Sequence, residues 1–399
     1  MPRRRQEGAR VFLIDLGWNG YFEAMWKERF GDEKGSLSPA RVVSQQRGLW
    51  RIAGEFGGEG KSGSRWGSRP GELRRSSAAP VHECWAEPSG KLRGVADLEG
   101  EAAWPAVGDW VAAEIVGEER AILHWVLPRR GVFSRKAPGN RVEQQVIAAN
   151  VDMAFLVAAL DMDFSPRRLE RYLAQCWDSG VRPAIVLNKA DECNDVGAHV
   201  AATERVAIGA PVLALSARTG QGMEALEALV LPGQTIVLLG SSGVGKSTLV
   251  NRLLQEEKQA TRPTRDADSK GRHTTTARQL FRLPGGALLM DTPGLREFAL
   301  WNVDRGITET FADIEELAQE CRFSDCRHEG EPGCAVRAAV ESGTIDEARV
   351  ENRKKLEREQ EFQRRKSDPE AMQEYKTKVS RMMRGVREKY KQREKDGKQ

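Results

Sequence analysis

Two short motifs occur in an order that restricts the possible folds more than either motif does alone. Residues Gly240–Ser247, GSSGVGKS, fit the phosphate-cradling pattern G-x-x-x-x-G-K-[ST]. Residues Asn188–Asp191, NKAD, fit a pattern that reads a guanine base, yet they lie about 50 residues upstream of the cradle. In an unrotated nucleotide-binding α/β domain the phosphate loop follows the first strand and the base-reading motif comes late. Here the order of parts is rotated.

The surrounding pattern supports an α/β domain from about Phe133. VDMAFLVAAL reads as a buried strand, and SPRRLERYLAQCWDSG as a helix capped by Ser165 with Pro166 in its first position. PAIVLNKAD and PVLALSARTG are strands ending in loops, and MEALEALV is a helix. TIVLLG runs into the phosphate loop, KSTLVNRLL is the helix after it, and ALLMDTPG is a further strand and loop. Strands alternating with helices indicate a largely parallel sheet.

Each motif residue has a chemical reason to be there. Gly240, Gly243 and Gly245 let the backbone N–H groups of the loop, which also contains Ser241, Ser242 and Val244, approach phosphate oxygens. Lys246 would face the β- and γ-phosphates, Ser247 would hold Mg²⁺, and Thr248 begins a helix whose N-terminus faces the anion. Asp291 of DTPG would contact Mg²⁺ through water, and Gly294 could offer its N–H to the γ-phosphate. In NKAD, Asp191 would accept from guanine N1–H and the 2-amino group, Asn188 would brace the loops, the stem of Lys189 would cover the base, and Ala190 completes the turn. Ser216 and Ala217 of SAR would bring a backbone N–H to guanine O6. GRHTTT, 271–276, lies where a first switch belongs, with Thr274 or Thr275 able to complete the Mg²⁺ shell. Leu295 follows DTPG where many GTPases carry a water-orienting glutamine, so intrinsic hydrolysis should be slow. His273 or a partner's group must then position the water.

Upstream, residues 39–132 read mostly as short strands, including RVVSQQRGLWRIAGEF, VGDWVAAEIV and RAILHWVLP, which suit a small OB-type barrel. The Gly-, Ser- and Arg-rich stretch 57–79 reads as a flexible insertion. Residues 1–38 contain one plausible amphipathic helix, Gly20–Phe30, with no function assigned.

Downstream, Cys321-x₄-Cys326-x-His328-x₅-Cys334 offers three thiolates and an imidazole, the ligand set of a closed structural Zn²⁺ site. Reduced core cysteines are the competing reading, but Arg322, Ser324, Asp325 and Arg327 make the stretch polar. Residues 350–399 carry 17 Lys/Arg against 10 Asp/Glu, while the whole chain has a formal net charge of only +4. Such a basic tail suits nucleic acid or a solvated helix. From about Ser367 the tail has so little apolar content that order only against a partner is expected. No stretch approaches the ~18 uninterrupted apolar residues of a membrane span.

With NKAD, SAR, GSSGVGKS, GRHTTT and DTPG in that order, a barrel-like region before them and the cysteine cluster after them, the chain resembles the circularly permuted GTPases of the RsgA/YjeQ family. VGDWV, VFSRKAPG and VIAANVD are also similar to that family. The resemblance covers roughly residues 39–350 and implies a multidomain fold: an OB-like β-barrel over 39–132, an α/β circularly permuted P-loop GTPase over 133–306 and a small α-helical zinc-binding domain over 307–350; the basic helical or disordered tail over 351–399 lies outside it. It further implies a factor that binds the small ribosomal subunit and its rRNA late in maturation; the lack of a secretory signal and the scattered cysteines point to the cytoplasm, and a monomer is expected. GTP hydrolysis to GDP and phosphate, stimulated by the subunit, would drive release. An RNA-binding scaffold that keeps GTP as a ligand, and a GTPase of RNA or nucleotide chemistry unrelated to ribosomes, are the alternatives.

Overall fold

The computed structural model describes residues 13–31, 36–46, 48–56, 82–117, 119–136, 144–162, 164–255, 278–291 and 303–396. The insertion 57–79 and the GRHTTT segment lie outside the described residues, as do the last three residues of DTPG.

The N-terminal part comprises α1 (Gly20–Phe30), β1 (Leu37–Gln46), β2 (Leu49–Gly54), β3 (His82–Pro88), α2 (Gly90–Glu99), β4 (Trp110–Ile115) and β5 (Arg120–Val126). Strand β1 pairs antiparallel with both β2 and β4, β3 runs parallel to β5, and β4 closes on β5. The cycle β1-β2-β3-β5-β4-β1 is a five-stranded, OB-like barrel. An irregularity between Val42 and Ser44 bends β1 between its partners. Val42, Ile52, Trp110 and Leu123 fill the interior, all fully buried. Strand β3 and α2 are additions to the sequence reading. Helix α1 starts where the Asn19 side chain accepts from the Tyr21 N–H at 3.0 Å. It buries Phe22 against the barrel, and the Trp18 ring meets that of Trp110 edge-on at 4.7 Å.

A two-stranded ladder, β6 (Phe133–Lys136) with β7 (Gln144–Ala148), leads into the second layer. That layer holds β8 (Met153–Ala159), α3 (Pro166–Asp178), β9 (Arg182–Asn188), α4 (Val196–Glu204), β10 (Val212–Ala214), α5 (Met223–Leu229), β11 (Thr235–Leu239), α6 (Lys246–Leu254), β12 (Arg278–Arg282) and β13 (Leu288–Asp291). The sheet order is β10-β9-β8-β11-β13-β12, parallel throughout except for β12. Strand β11, which carries the phosphate loop, thus sits between the earlier β8 and the later β13. Helix α3 begins at Ser165 and Pro166 as expected, although the Ser165 side chain makes no capping bond.

The barrel and the α/β sheet are continuous: β12 pairs antiparallel with β1 through Ser44–Gln279 and Gln45–Arg278. Arg41 fastens the junction. Its guanidinium, 1% exposed, donates to the carbonyls of Leu16, Gly108 (3.1 Å) and Asn150 (3.3 Å) and to Thr235 Oγ1 (2.8 Å). Burial pushes its pKa down to about 10, still charged at neutral pH, and the four acceptors offset the desolvation.

The C-terminal part contains α7 (Asp304–Thr310), α8 (Ala312–Gln319), α9 (Ala335–Glu341), α10 (Glu347–Ser367) and α11 (Pro369–Asp396). Its core is Ile307, Phe311, Ile314, Val336 and Leu356. Helix α7 lies so close to α3 that a Cβ on Gly306 would stand 1.8 Å from the Ala174 carbonyl oxygen. The segment after Ser367 is helical, one of the two states expected for the tail. Pro369 stands at the helix start, Ala371 is buried, and Arg365 lies 4.0 Å from the centre of the Tyr375 ring. Lys, Arg, Glu, Gln and Met are good helix formers, which compensates for the sparse apolar content. Among the described residues no helix is long and apolar enough to cross a membrane.

Candidate nucleotide-binding site and metal centre

The phosphate loop leaves the C-terminal end of β11 and enters α6 at Lys246. Two glycines explain why the loop takes no larger residue there. A Cβ on Gly240 would lie 2.2 Å from the Val157 carbonyl oxygen, and one on Gly245 would lie 2.2 Å from Asn188 Nδ2. The Lys246 ammonium reaches back across the loop to the carbonyls of Gly240 (2.6 Å) and Ser241. It is therefore placed at the mouth of the loop. Ser247 and Thr248 follow in the first turn of α6. Asp291 ends β13, one residue beyond the Met290 that pairs with Val237 on β11, so it projects at the same sheet edge.

NKAD ends β9 on the far side of β8. Asn188 is 3% exposed and makes two bonds: Nδ2 donates to the Val244 carbonyl at 2.8 Å, and Oδ1 accepts from the Ala217 N–H at 2.9 Å. One side chain thus joins the phosphate loop, the NKAD strand and the SAR loop. Lys189 takes a left-handed conformation, φ 65°, and its ammonium pairs with Asp161 at 2.9 Å. Ala190 opens a short helical turn, its N–H bonded to the Leu215 carbonyl at 3.1 Å. Asp191 pairs with Arg218, Nε to Oδ2 at 3.0 Å. Hydrogen bonds from Ser216 and then Arg218 hold its carboxyl below the usual aspartate range, so it is an acceptor at neutral pH.

A cavity of about 110 Å³ opens beside the loop, lined by Asp161, Arg168, Lys189, Ser241, Ser242 and Val244 among others. Asp161 and Arg168 are absent from the sequence reading, and so is the grip of Arg218 on Asp191. Asp161 and Arg168 belong to no motif; only their positions just after β8 and early in α3 place them here. Thr275, His273, Gly294 and Leu295 lie outside the described residues.

The metal-ligand candidates converge. The donor atoms of Cys321, Cys326, His328 and Cys334 lie within 4.8 Å of one another. Cys321 Sγ is 3.9 Å from Cys334 Sγ and 3.7 Å from His328 Nδ1, and His328 Nδ1 is 3.4 Å from Cys334 Sγ. A tetrahedron with metal–sulfur bonds of about 2.3 Å and metal–nitrogen bonds of about 2.0 Å has edges of roughly 3.5–3.8 Å. The cluster fits a four-coordinate metal. His328 adopts a left-handed backbone, φ 59°, and Cys334 caps α9 by accepting from the Arg337 N–H at 3.4 Å.

Residues 126–301 match the RsgA GTPase family. The chain is 49% identical over 367 residues to a small ribosomal subunit biogenesis GTPase RsgA of Opitutus terrae, covering 90% of this chain and 92% of that protein. It is 46% identical over 373 residues to a protein of the same name in Streptomyces coelicolor, covering 92% of each. Among solved structures it is similar to YjeQ of Thermotoga maritima, with TM-score 0.56, 26% identity and coverage of 80% of this chain and 97% of that one. The fold of YloQ, a circularly permuted GTPase, is also shared, with TM-score 0.53 at 22% identity over 80% of this chain and 93% of that one. The rotated motif order, the sheet that accommodates it and the similarity along nearly the whole chain agree: this chain is a GTP hydrolase that belongs to the RsgA GTPase family.

Proposed function

We propose that this protein binds the small ribosomal subunit late in its maturation, hydrolyses GTP to GDP and phosphate under stimulation by the subunit, and leaves once GTP is spent. The observation that carries the GTP site is the Asn188 brace, which brings the phosphate-cradling and base-reading loops to one edge of the sheet. The subunit as partner rests on the similarity to relatives named for small-subunit biogenesis along almost their full length. The barrel and the basic 350–399 segment would face rRNA. The protein acts as a cytoplasmic monomer.

In this reading water attacks the γ-phosphorus while the bond to the β–γ bridging oxygen breaks, and GDP leaves with that electron pair. Lys246 draws off charge developing on the β- and γ-oxygens, and the N–H of Gly294 binds a γ-oxygen. Ser247, Asp291 and Thr275 would hold Mg²⁺, which supplies Lewis-acid neutralisation of the phosphates when bound. Asp191 reads guanine, the backbone around Ser216 and Ala217 meets O6, and the Lys189 stem covers the base. Leu295 has no polar group to orient water, so His273 or a group on the subunit does so. Cys321, Cys326, His328 and Cys334 would hold one structural Zn²⁺, which cross-links the small C-terminal core.

Lys246→Ala abolishes GTP binding and turnover under this reading. Co-sedimentation with purified small subunits tests release. A non-hydrolysable GTP analogue retains the protein on the subunit and GDP does not; equal retention with both refutes nucleotide-driven release.

A further inference from the structure

Helix α3 touches two regions that the motifs do not connect. Near its N-terminus, Arg168 Nη1 donates to Ser241 Oγ of the phosphate loop at 2.8 Å. The carbonyl of the same serine accepts from Lys246, so two cations hold Ser241, one by its side chain and one by its backbone. Two residues further on, Glu170 is fully buried and accepts from Arg167 (2.7 Å), Arg349 (2.6 Å) and Asn352 (2.5 Å). Arg349 is itself bound to Asp313 at 2.9 Å and to the Thr310 carbonyl at 2.8 Å. Arg171 pairs with Glu359, and Arg167 with Asp346. Residues two apart on an α-helix point about 200° from each other. Arg168 and Glu170 therefore face opposite ways, and a single turn of α3 separates the phosphate loop from α10. The Gly306–Ala174 approach fixes the far end of α3 to the same C-terminal part.

We propose that Arg168 is a positioning residue for the phosphate loop, and that through α3 the C-terminal domain sets how tightly GTP is held. Arg168 acts on Ser241 rather than on the phosphates. It holds the first residues of the loop in the conformation in which Lys246 and the loop N–H groups converge. The anchorage of α3 to α10 keeps Arg168 at that distance. A partner that shifts the C-terminal domain would loosen or tighten the loop by way of this turn. The proposal rests on the reading of Gly240–Ser247 as the GTP-binding loop.

The test is a set of GTP and GDP affinities on the full chain, measured with a fluorescent nucleotide beside a melting temperature for each variant. Arg168→Ala weakens GTP binding roughly three- to tenfold, the scale of a hydrogen bond from a charged donor at an exposed site. Its melting temperature stays close to that of the unmodified protein. Ser241→Ala gives a similar loss, the double variant loses little more, and Arg168→Lys recovers part. Glu359→Ala, which removes the Arg171 partner without touching the loop, weakens GTP in the unmodified background and adds little on top of Arg168→Ala. Additive losses for Arg168→Ala and Ser241→Ala would overturn the loop contact. Equal Glu359→Ala effects in both backgrounds would overturn the link to the C-terminal domain. Lys246→Ala is the control: if it abolishes binding while Arg168→Ala changes nothing, only this inference fails, and if it too binds GTP normally, the phosphate-loop reading fails.

Discussion

Replacing Asn188 with alanine probes the joint of the candidate GTP site. It orphans the Ala217 N–H and the Val244 carbonyl, which the amide now pairs at 2.9 and 2.8 Å. A buried backbone group left unpaired costs about 1–3 kcal/mol. Water reaching the open side of the loop recovers part of this, so the combined loss is about 2–4 kcal/mol. Some of that appears as stability. With about half of the loss, ~1–2 kcal/mol, in stability and about 2–4 °C per kcal/mol for a domain of this size, melting of the α/β part falls by roughly 2–8 °C. The rest appears on binding, because rehydrated groups must be stripped of water again when the loop closes around phosphate. With about half of the loss, ~1–2 kcal/mol, left for binding and ~1.4 kcal/mol per factor of ten, GTP affinity falls about 5- to 30-fold. Differential scanning calorimetry and nucleotide titration on the same preparation read both quantities. An Asn188→Ala protein within threefold of the unmodified affinity, and within a degree of its melting point, would refute the brace.

Further expectations follow from neighbouring contacts. Gly245→Ala must displace Asn188, whose amide nitrogen would stand 2.2 Å from the new Cβ, so GTP binding falls at least as far as in Asn188→Ala, read in the same titration. Asp191→Asn frees Arg218 and removes one acceptor for guanine, so the preference for GTP over ATP shrinks in competition binding; an unchanged ratio contradicts the base-reading role. Asp178 titrates at about 6, raised first by burial and further by Asp304 and Glu309. A raised carboxyl favours the fold most when protonated, so its contribution is lost as pH climbs from about 4 through 6. Asp178→Asn therefore raises the melting temperature at pH 7.5 and leaves it nearly unchanged at pH 4.5. Stripping metal with a chelator, or Cys326→Ser, loosens the C-terminal core and exposes α9 to proteolysis, and elemental analysis of the untreated protein finds one zinc per chain.

What the sequence made legible was local. The glycine-rich loop, NKAD, SAR, the strand before each and the Cys/His cluster announce themselves by short spacing, because their chemistry needs neighbours in the chain. Asn188 as a brace was legible for the same reason. Strand β3 carries no such signal, because HECWAEP mixes charge with aromatic residues and follows a long insertion that breaks the pattern. The Ser44–Gln279 pairing joins residues more than 200 positions apart, and no local rule signals it. The buried charges Arg41, Glu170 and Arg349 look like surface residues in a sequence, and only their partners make burial tolerable. Arg168 belongs to this class: an ordinary helix arginine until the fold sets it against Ser241. In α11 scarcity of apolar residues limits packing but not helix formation.

The central claim, a GTPase activated by the small ribosomal subunit, is tested most directly by GTP turnover titrated with purified small subunits at low salt. The account predicts slow intrinsic turnover, as Leu295 requires, rising steeply and saturably with subunit concentration and lost in Lys246→Ala. Turnover that stays flat across the titration, with the protein demonstrably bound to the subunit, would contradict it.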